Sequence, residues 1–318
     1  MAESDPKIVA ISAAMTDGTG LDAFAQKYPE RFFDVGIAEQ HAVTLAAGMA
    51  VSGLKPVAAI YSTFLQRAYD QVLHDICLQN ANVVIAVDRA GVVGEDGETH
   101  QGAYDMAFLR HMPNMTIMAP AYDGELPRML RFALYEADGP VAIRYPKGLY
   151  KREDIADKLA RLNQYMDAIP AEPIQGDLAS PILLGKGVRL LEGGDITIVA
   201  VGAMLEAAIE AAAGLAQRGF GADIISARFV KPLDAGLILS SVKKTGRLLV
   251  AEDGCFAGGF GSAVAEALAG SGVMYSARYC GLPDIPIPHG KREKILQSLG
   301  LCGEGLLSAA LELLGQAL

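Results

Sequence analysis

Residues 34–88 contain the pattern from which the fold of this chain is predicted: DVGIAEQHAVTLAAGMAVSGLKPVAAIYSTFLQRAYDQVLHDICLQNANVVIAVD. An apolar run closes at Asp34, a helical pattern covers Ala42 to Met49, and the apolar runs KPVAAIYS and NVVIAVD come next, separated by a second helical segment. Short apolar runs of this kind are typical of strands buried on both faces, and the helices between them provide the crossovers that parallel strands need. The stretch predicts a doubly wound, mostly parallel α/β sheet.

The same alternation extends in both directions along the chain. KIVAIS, RFFDVG, MTIMAP and PVAIRYP predict further strands of the first sheet, and DITIVAVG, ADIISA, RLLVAED and MYSARY predict a second one. Helices of the second part are predicted from about Met204 to Arg218, after Pro232, after Gly259 and from Gly303 to Leu314. We therefore predict two doubly wound α/β domains, at residues 1–148 and, smaller, at residues 187–318.

The alternation fails between these domains, over residues 149–186. A charged, helical-looking stretch begins with KRED at residues 151–154, and three prolines interrupt the residues after it (Pro170, Pro173, Pro181). Repeated prolines are incompatible with a continuous helix or a central strand. We predict a linker that contains a short helix of its own.

The composition excludes several classes of protein. With 51% hydrophobic and 20% charged residues over 318 positions, the chain is typical of a folded α/β protein and not of a disordered one. A net charge of -10 without a Lys/Arg stripe predicts binding neither to nucleic acid nor to an anionic membrane. The four cysteines lack metal or disulfide spacing, and no signal peptide or membrane span is recognisable. We expect a cytoplasmic protein with no metal site of its own, in which a few local cations bind any anionic substrate.

The first motif with chemical content is DVGIAEQHAV, residues 34–43, which places Glu39 in the first turn of a helix. An acid at this position is common, because the helix dipole favours it. The motif as a whole resembles the signature of 1-deoxy-D-xylulose-5-phosphate synthases, and its weaker G-x-x-E theme is shared with transketolases and pyruvate dehydrogenase subunits. The resemblance implies that Glu39 is catalytic: it hydrogen-bonds the pyrimidine ring of thiamine diphosphate and activates this cofactor, with Ile37 also in the cofactor site.

The second motif, YSTFLQRAYDQ, comes after the apolar run KPVAAI, so its side chains are expected at the carboxyl end of a strand, where open α/β sheets bind ligands. Its resemblance to the synthase family implies that Phe64 stacks on the pyrimidine ring and that Tyr61 lines the cofactor and substrate pocket. It also implies that Arg67 binds the substrate phosphate. An aromatic face and a guanidinium are suited to these two tasks.

Two further motifs complete the predicted site. DRAGVVGEDGETHQGAYD, residues 88–105, matches the family almost residue for residue, which implies that Asp96 and His100 face the substrate and that His100 assists proton movements. RYPKG, residues 144–148, resembles the family's RYPRG, whose second basic residue helps to hold glyceraldehyde phosphate. Lys147 takes that place, so the positive charge is kept while the planar fork of an arginine is lost.

The second domain has motifs of its own: ARFVKPLD, VAEDGCFAGGFGSAV and GLPDIPIPHG. All three resemble the C-terminal domain of transketolase-like enzymes. GGFGS lacks the G-x-x-x-x-G-K-[ST] pattern of a phosphate loop and is interpreted as close packing of a helix on a strand. We expect this domain to be structural and to shape subunit contacts.

The resemblance covers nearly all of this chain but only about the C-terminal half of a complete synthase. The family's magnesium and diphosphate motif, GDG with a later Asn, is absent from these residues. The resemblance implies a two-carbon transferase that condenses pyruvate with D-glyceraldehyde 3-phosphate, releases carbon dioxide and uses thiamine diphosphate. Magnesium would be held by a separate diphosphate-binding domain, and the expected partners are that domain and further copies of this chain.

Two other hypotheses remain open from the sequence. One is the C-terminal subunit of a split transketolase or a 2-oxo acid dehydrogenase β-like subunit, which have the same two-domain layout. The other is a non-catalytic fragment with an oligomerisation role. Retention of the chemically active residues favours an enzyme, and the closeness of the three first-domain motifs favours the synthase.

Overall fold

The computed structural model describes residues 1–166, 178 and 180–316. Within them the strands are β1 (Ile8–Ser12), β2 (Phe32–Asp34), β3 (Lys55–Tyr61), β4 (Val84–Asp88), β5 (Thr116–Met118), β6 (Val141–Arg144), β7 (Val188–Leu191), β8 (Ile196–Ala200), β9 (Ala222–Ser226), β10 (Phe229–Lys231), β11 (Arg247–Cys255) and β12 (Ser276–Leu282). The α-helices are α1 (Asp22–Lys27), α2 (Glu39–Val51), α3 (Ser62–Leu65), α4 (Tyr69–Gln71), α5 (Asp105–Arg110), α6 (Leu126–Tyr135), α7 (Arg152–Met166), α8 (Met204–Ala216), α9 (Ala235–Thr245), α10 (Phe260–Leu268), α11 (Arg292–Ser298) and α12 (Gly303–Leu313). Short 3₁₀ turns and one π-helical segment complete the set (Pro29–Arg31, Gln66–Ala68, Gly94–Asp96, Glu98–His100 and Val72–Cys77).

The first sheet has seven strands in the order β10-β5-β6-β4-β3-β1-β2. All of its pairs are parallel except the edge pair of β10 with β5. The second sheet has five strands in the order β12-β11-β8-β9-β7, and only the edge pair of β7 with β9 is antiparallel. The prediction of two α/β domains with mostly parallel sheets is confirmed.

Two strands were not predicted from the sequence, β7 and β10. The more consequential is β10, because it comes after the second-domain strand β9 in the chain but pairs with β5 of the first sheet. It has only three residues, FVK, which is too short for any periodicity to be recognised. Its partner is also distant in sequence, so only the tertiary structure could reveal the pair.

The two sheets share their hydrophobic core. One cluster of buried side chains includes Ile11 and Ile85 of the first sheet together with Val199 and Val250 of the second. Another cluster joins Tyr122, from the first domain, to helix α8 and strand β8 of the second. Because burial of apolar surface is the main favourable term in folding, the sheets stabilise each other and hold a defined relative position.

Helix α7 lies in the predicted linker and packs on the second domain. Its residues Ile155 and Leu162 are fully buried in the cluster that contains helix α8. Lys158 bridges Glu206 and Glu210 of α8 at 2.5 Å each. The linker segment that the structure describes is therefore attached to the second domain by both apolar and charged contacts.

Two of the three prolines on which the linker prediction was based, Pro170 and Pro173, lie outside the described residues. The third, Pro181, is described and comes before β7. Among the residues that are described, no helix combines the length and the apolar character needed to cross a membrane.

Candidate active site

The predicted site residues gather where strands β3 and β4 end and helix α2 begins. Tyr61 is the last residue of β3, and Asp88, the last residue of β4, is its register partner. Side chains at the carboxyl edge of a parallel sheet are free of the ladder and face the connecting loops. The fold thus brings motifs from residues 34–43, 61–71 and 88–105 to one edge.

Glu39 is the first residue of α2 and is only 1% exposed. Its Oε1 accepts a hydrogen bond from Arg67 Nη1 at 2.5 Å. Its Oε2 is buried and has no partner among the described residues. A buried carboxylate oxygen without a donor is unfavourable, so this oxygen is an acceptor available to a ligand.

An aromatic group lies next to this carboxylate. The rings of Tyr61 and Phe64 are stacked with centroids 5.5 Å apart and planes inclined by 12°. His100 meets Phe64 edge to face at 5.3 Å, and the Arg67 guanidinium lies 4.8 Å from the Phe64 centroid. Phe64 therefore connects the Glu39–Arg67 pair to His100 through ring contacts.

A charged group continues the site on the other side of Tyr61. The Arg89 guanidinium lies 4.0 Å from the Tyr61 centroid, and its Nε donates to Asp96 at 3.2 Å. Lys147 Nζ donates to the other Asp96 oxygen at 2.9 Å. Partial burial acts to raise the pKa of Asp96, but the hydrogen bonds and charges of Lys147 and Arg89 outweigh it and lower the pKa below its ordinary value. Asp96 is a carboxylate held between two cations.

Two clefts adjoin this charged group. A cleft of about 460 Å³ is lined by Gly18, Thr19, Asp88, Arg89 and Lys147, among others. A smaller one of about 320 Å³ is lined by Lys147 as well, together with Lys291 and Arg292. The larger cleft combines the cations of Arg89 and Lys147 with the carboxyl group of Asp88, and the two cations are suited to a phosphate ester.

Direct contacts join all but one of the predicted site residues, with Arg89 as the link between Tyr61 and Asp96. The connected residues are Glu39, Arg67, Phe64, His100, Tyr61, Asp96 and Lys147. Ile37 is not among them and is 78% exposed. Arg67, for which the resemblance implies phosphate binding, donates one N–H to Glu39.

Arg89 and Asp88 belong to this site although neither was singled out from the sequence. Arg89 has a left-handed backbone, with φ of 55°, and its Nη1 donates to Gly18 O at 2.9 Å. Asp88 accepts from the Arg89 N–H at 2.6 Å, and burial raises the pKa of this carboxyl in spite of that bond. Their position directly at the end of the predicted strand NVVIAVD was a usable signal, since ligand-binding residues concentrate there.

The residues present fit the pyrimidine half of thiamine diphosphate. The partnerless Glu39 Oε2 suits a ring N–H donor, and Phe64 offers an aromatic neighbour for a flat heterocycle. In the described residues no group of three or more His, Cys, Asp or Glu side chains is arranged to hold a metal ion.

Two family descriptions match this chain. "Transketolase, pyrimidine binding domain" matches residues 1–153, and "Transketolase, C-terminal domain" matches residues 185–306. Among curated proteins, the 1-deoxy-D-xylulose-5-phosphate synthase of Heliobacterium modesticaldum is 48% identical over 98% of this chain, and that of Geobacter sulfurreducens, designated synthase 1, is 49% identical over 97%. The chain spans about half the length of these relatives, 45% in each case.

This chain also superposes on solved structures of transketolases. A protein described as "Split gene transketolase, inactive beta4 tetramer" superposes with a TM-score of 0.82 at 31% identity, over 99% of this chain and 94% of that one. A transketolase variant from Pichia stipitis superposes with a TM-score of 0.74 over 99% of this chain and 44% of that one. At 18% identity, the similarity to this variant indicates a shared fold and nothing more.

Proposed function

Because this chain belongs to the transketolase family, we propose that it forms the cofactor-activating part of a 1-deoxy-D-xylulose-5-phosphate synthase. The observation that carries the proposal is the buried, partnerless Oε2 of Glu39, on a carboxylate that is connected through Arg67 and Phe64 to His100. The level of identity to curated synthases, 48% over nearly the whole chain, supports this reaction over others of the family. The complete enzyme would condense pyruvate with D-glyceraldehyde 3-phosphate and act in the cytoplasm.

Each side chain near Glu39 has a separate task in this proposal. When bound, thiamine diphosphate supplies the carbanion chemistry of decarboxylation and two-carbon transfer. Glu39 holds the pyrimidine ring through Oε2, while Arg67 fixes the carboxylate through Oε1. Phe64 packs against the ring. His100, which lies against Phe64 and is hydrogen-bonded through Nδ1 to Thr99 Oγ1 at 3.0 Å, keeps its other ring nitrogen for proton transfer.

In this proposal the charged group of Arg89, Asp96 and Lys147 binds the second substrate, glyceraldehyde 3-phosphate. Arg89 and Lys147 line the larger cleft and are suited to the phosphate of glyceraldehyde 3-phosphate. Asp96 lies between them and orients both cations, as the two hydrogen bonds from them indicate. Since the chain as a whole is negatively charged, attraction of an anionic substrate depends on local cations such as this pair.

A subunit of a split transketolase is the second candidate, favoured by the solved split gene transketolase of nearly equal length. The two candidates differ in the donor that they accept, since a synthase uses pyruvate and releases carbon dioxide, whereas a transketolase uses a ketose phosphate. Product analysis with each donor distinguishes them.

We expect the purified chain alone to show no synthase activity with thiamine diphosphate and magnesium. The contacts offered here to the cofactor are a hydrogen bond and a packed ring, each contributing about 1 kcal/mol, so binding without a diphosphate site should be weak. Calorimetric titration with the cofactor and a coupled assay measure this, first on the chain alone and then with a separately expressed diphosphate-binding chain from a similar synthase. Full turnover by the chain alone would remove the need for that partner, and inactivity with several partners would favour a non-catalytic role.

Replacement of Arg67 by alanine separates its observed contact with Glu39 from the phosphate binding that the family resemblance implies for it. We expect the KM for glyceraldehyde 3-phosphate to rise at least about tenfold more than the KM for pyruvate, because only the aldehyde carries a phosphate for a charge-assisted bond. Steady-state kinetics of the assembled enzyme with each substrate varied in turn provide the measurement. An equal loss with both substrates would restrict Arg67 to its contact with Glu39.

A further inference from the structure

The loop that carries Asp96 and His100 connects strand β4 to helix α5 and covers residues 89–104; we call it the active-site loop. It closes on itself through a reciprocal pair of hydrogen bonds between Gly91 and Gly102, at 2.7 and 2.8 Å. Four glycines occur in it, at positions 91, 94, 97 and 102. Because glycine restricts the backbone least, the position of this loop depends strongly on the residues that pack against it from outside.

The second domain contacts the active-site loop ahead of Asp96. Arg292 Nε donates to Val92 O at 3.1 Å. Gly290 N donates to Gly94 O at 3.4 Å. Both donors precede or begin helix α11, so one short segment of the second domain holds this end of the loop.

The second domain also contacts the loop beyond His100. Cys255 N donates to Ala103 O at 2.7 Å. From the loop itself, Gln101 Nε2 donates to Pro288 O at 3.4 Å. Both ends of the loop are thus bonded to the domain for which the sequence predicted a structural role.

The contact is too close for any residue but glycine at two positions of the loop. A Cβ added to Gly94, whose φ is 68°, would lie 2.5 Å from Gly290 O and 2.7 Å from Arg292 N. A Cβ added to Gly91, whose φ is 78°, would lie 2.2 Å from Asp253 Oδ2. At Gly94 the loop and the second domain are therefore packed backbone against backbone.

Arg292 contributes a charged side chain to this contact. It is 17% exposed, and its Nη2 lies 4.0 Å from Asp253 Oδ2. Asp253 in turn accepts a hydrogen bond from Arg144 at 2.7 Å. Arg144 lies three residues before Lys147 in the chain. Arg292 is thus connected to the backbone of the loop. Through Asp253 and Arg144 it is also connected to strand β6, which is followed in the chain by Lys147, one of the two cations that pair with Asp96.

We infer that Arg292 is a positioning residue, which holds the active-site loop so that Asp96 and His100 keep their places in the substrate site. This inference rests on the proposed function for its effect on the substrate, but the effect on the loop itself is independent of activity. The side-chain Nε–H of Arg292 donates to Val92 O, four residues before Asp96. The backbone of Gly290 and Arg292 packs directly against Gly94.

Hydrogen exchange of the full chain tests the effect on the loop. We expect Arg292→Met to accelerate exchange of the peptide covering residues 92–104 by about tenfold or more, with Arg292→Lys intermediate, because loss of the anchor raises the open population of a loop. Lys294→Ala is the matched control, an exposed cation on the same helix α11. Exchange in strand β1 should stay unchanged in all three variants. Unchanged exchange of the loop in Arg292→Met would overturn the inference.

A pair of glycine variants tests the contact between the loop and the second domain without changing Arg292, in case Arg292→Met does not fold. Gly94→Ala introduces a side chain against the second domain, whereas Gly97→Ala, at a φ of 94°, introduces one with nothing within 4 Å. We expect faster loop exchange in Gly94→Ala than in the unmodified chain, and Gly97→Ala shows how much backbone strain at a positive φ contributes by itself. Loop exchange in Gly94→Ala no faster than in the unmodified chain would mean that the second domain does not hold the loop, and would overturn the inference.

Kinetics of the assembled enzyme separate positioning from general stability. Arg292→Met should raise the KM for glyceraldehyde 3-phosphate about tenfold while leaving the KM for pyruvate within about twofold, and Arg292→Lys should restore part of the loss. A KM for glyceraldehyde 3-phosphate that stays within about twofold of the unmodified value in Arg292→Met would overturn the positioning role. Absence of turnover in the unmodified assembly would remove the proposed function instead, and the exchange measurement would still decide whether Arg292 holds the loop.

Discussion

Glu39→Gln is expected to lower the turnover of the assembled enzyme by at least about a hundredfold while leaving the fold intact, on the scale of acid-base contributions to catalysis. The amide has nearly the shape of the carboxylate, so packing at the start of α2 is conserved. It lacks the negative charge that makes Oε2 a strong acceptor and that pairs with Arg67. Steady-state rates with saturating substrates, together with circular dichroism of the variant, provide the measurement.

The control for this substitution is Glu304→Gln. Glu304 is also an acid in the first turn of a helix, α12, but it is exposed and lies in the second domain. It should show the small effect of a lost dipole interaction and no change in turnover. A near-normal rate in Glu39→Gln would exclude Glu39 from the mechanism and with it the proposed activation of the cofactor.

Arg144→Met is expected to lower the free energy of unfolding by about 3–5 kcal/mol, the range for breaking a buried ion pair on one side. Arg144 donates to Asp105 at 2.6 Å and to Asp253 at 2.7 Å, and the three side chains are at most 1% exposed. Methionine fills a similar volume but leaves two buried carboxyl groups without their cation. Urea unfolding at neutral pH measures the loss.

The pH dependence of this loss has a definite sign. Burial raises the pKa of Asp105 above its ordinary 3.8 even though the charge and hydrogen bond of Arg144 lower it. The folded form therefore holds the proton more tightly than the unfolded form, and a rise in pH above that ordinary value lowers the free energy of unfolding. Arg144→Met removes the charge and hydrogen bond that lower this pKa, so the destabilisation should grow as the pH rises above that ordinary value.

Arg278→Met is the matched control for Arg144→Met. Arg278 pairs with Glu312 at 3.6 Å on the surface, with side-chain exposures of 58% and 57%. Exposed pairs contribute about 1 kcal/mol or less, so this variant should unfold almost like the unmodified chain. A loss of similar size in both variants would contradict a special role for the buried pair.

The sequence by itself determined most elements of the first domain and predicted which residues form its site. Apolar runs such as KPVAAIYS and NVVIAVD became strands β3 and β4, because strand and helix signals are periodic and local. The position of Glu39 at the start of a helix could be derived from the same local pattern. Resemblance of the motifs then indicated the family, to which the chain belongs.

The tertiary structure alone decided how these parts meet. It placed Arg67 on Glu39, inserted Arg89 between Tyr61 and Asp96, and paired β10 with the sheet of the other domain. It also brought Arg292 onto Val92 O, 200 positions away in the chain. Such contacts depend on the packing of whole sheets and on the shared core, and no pattern within a short window of sequence records them.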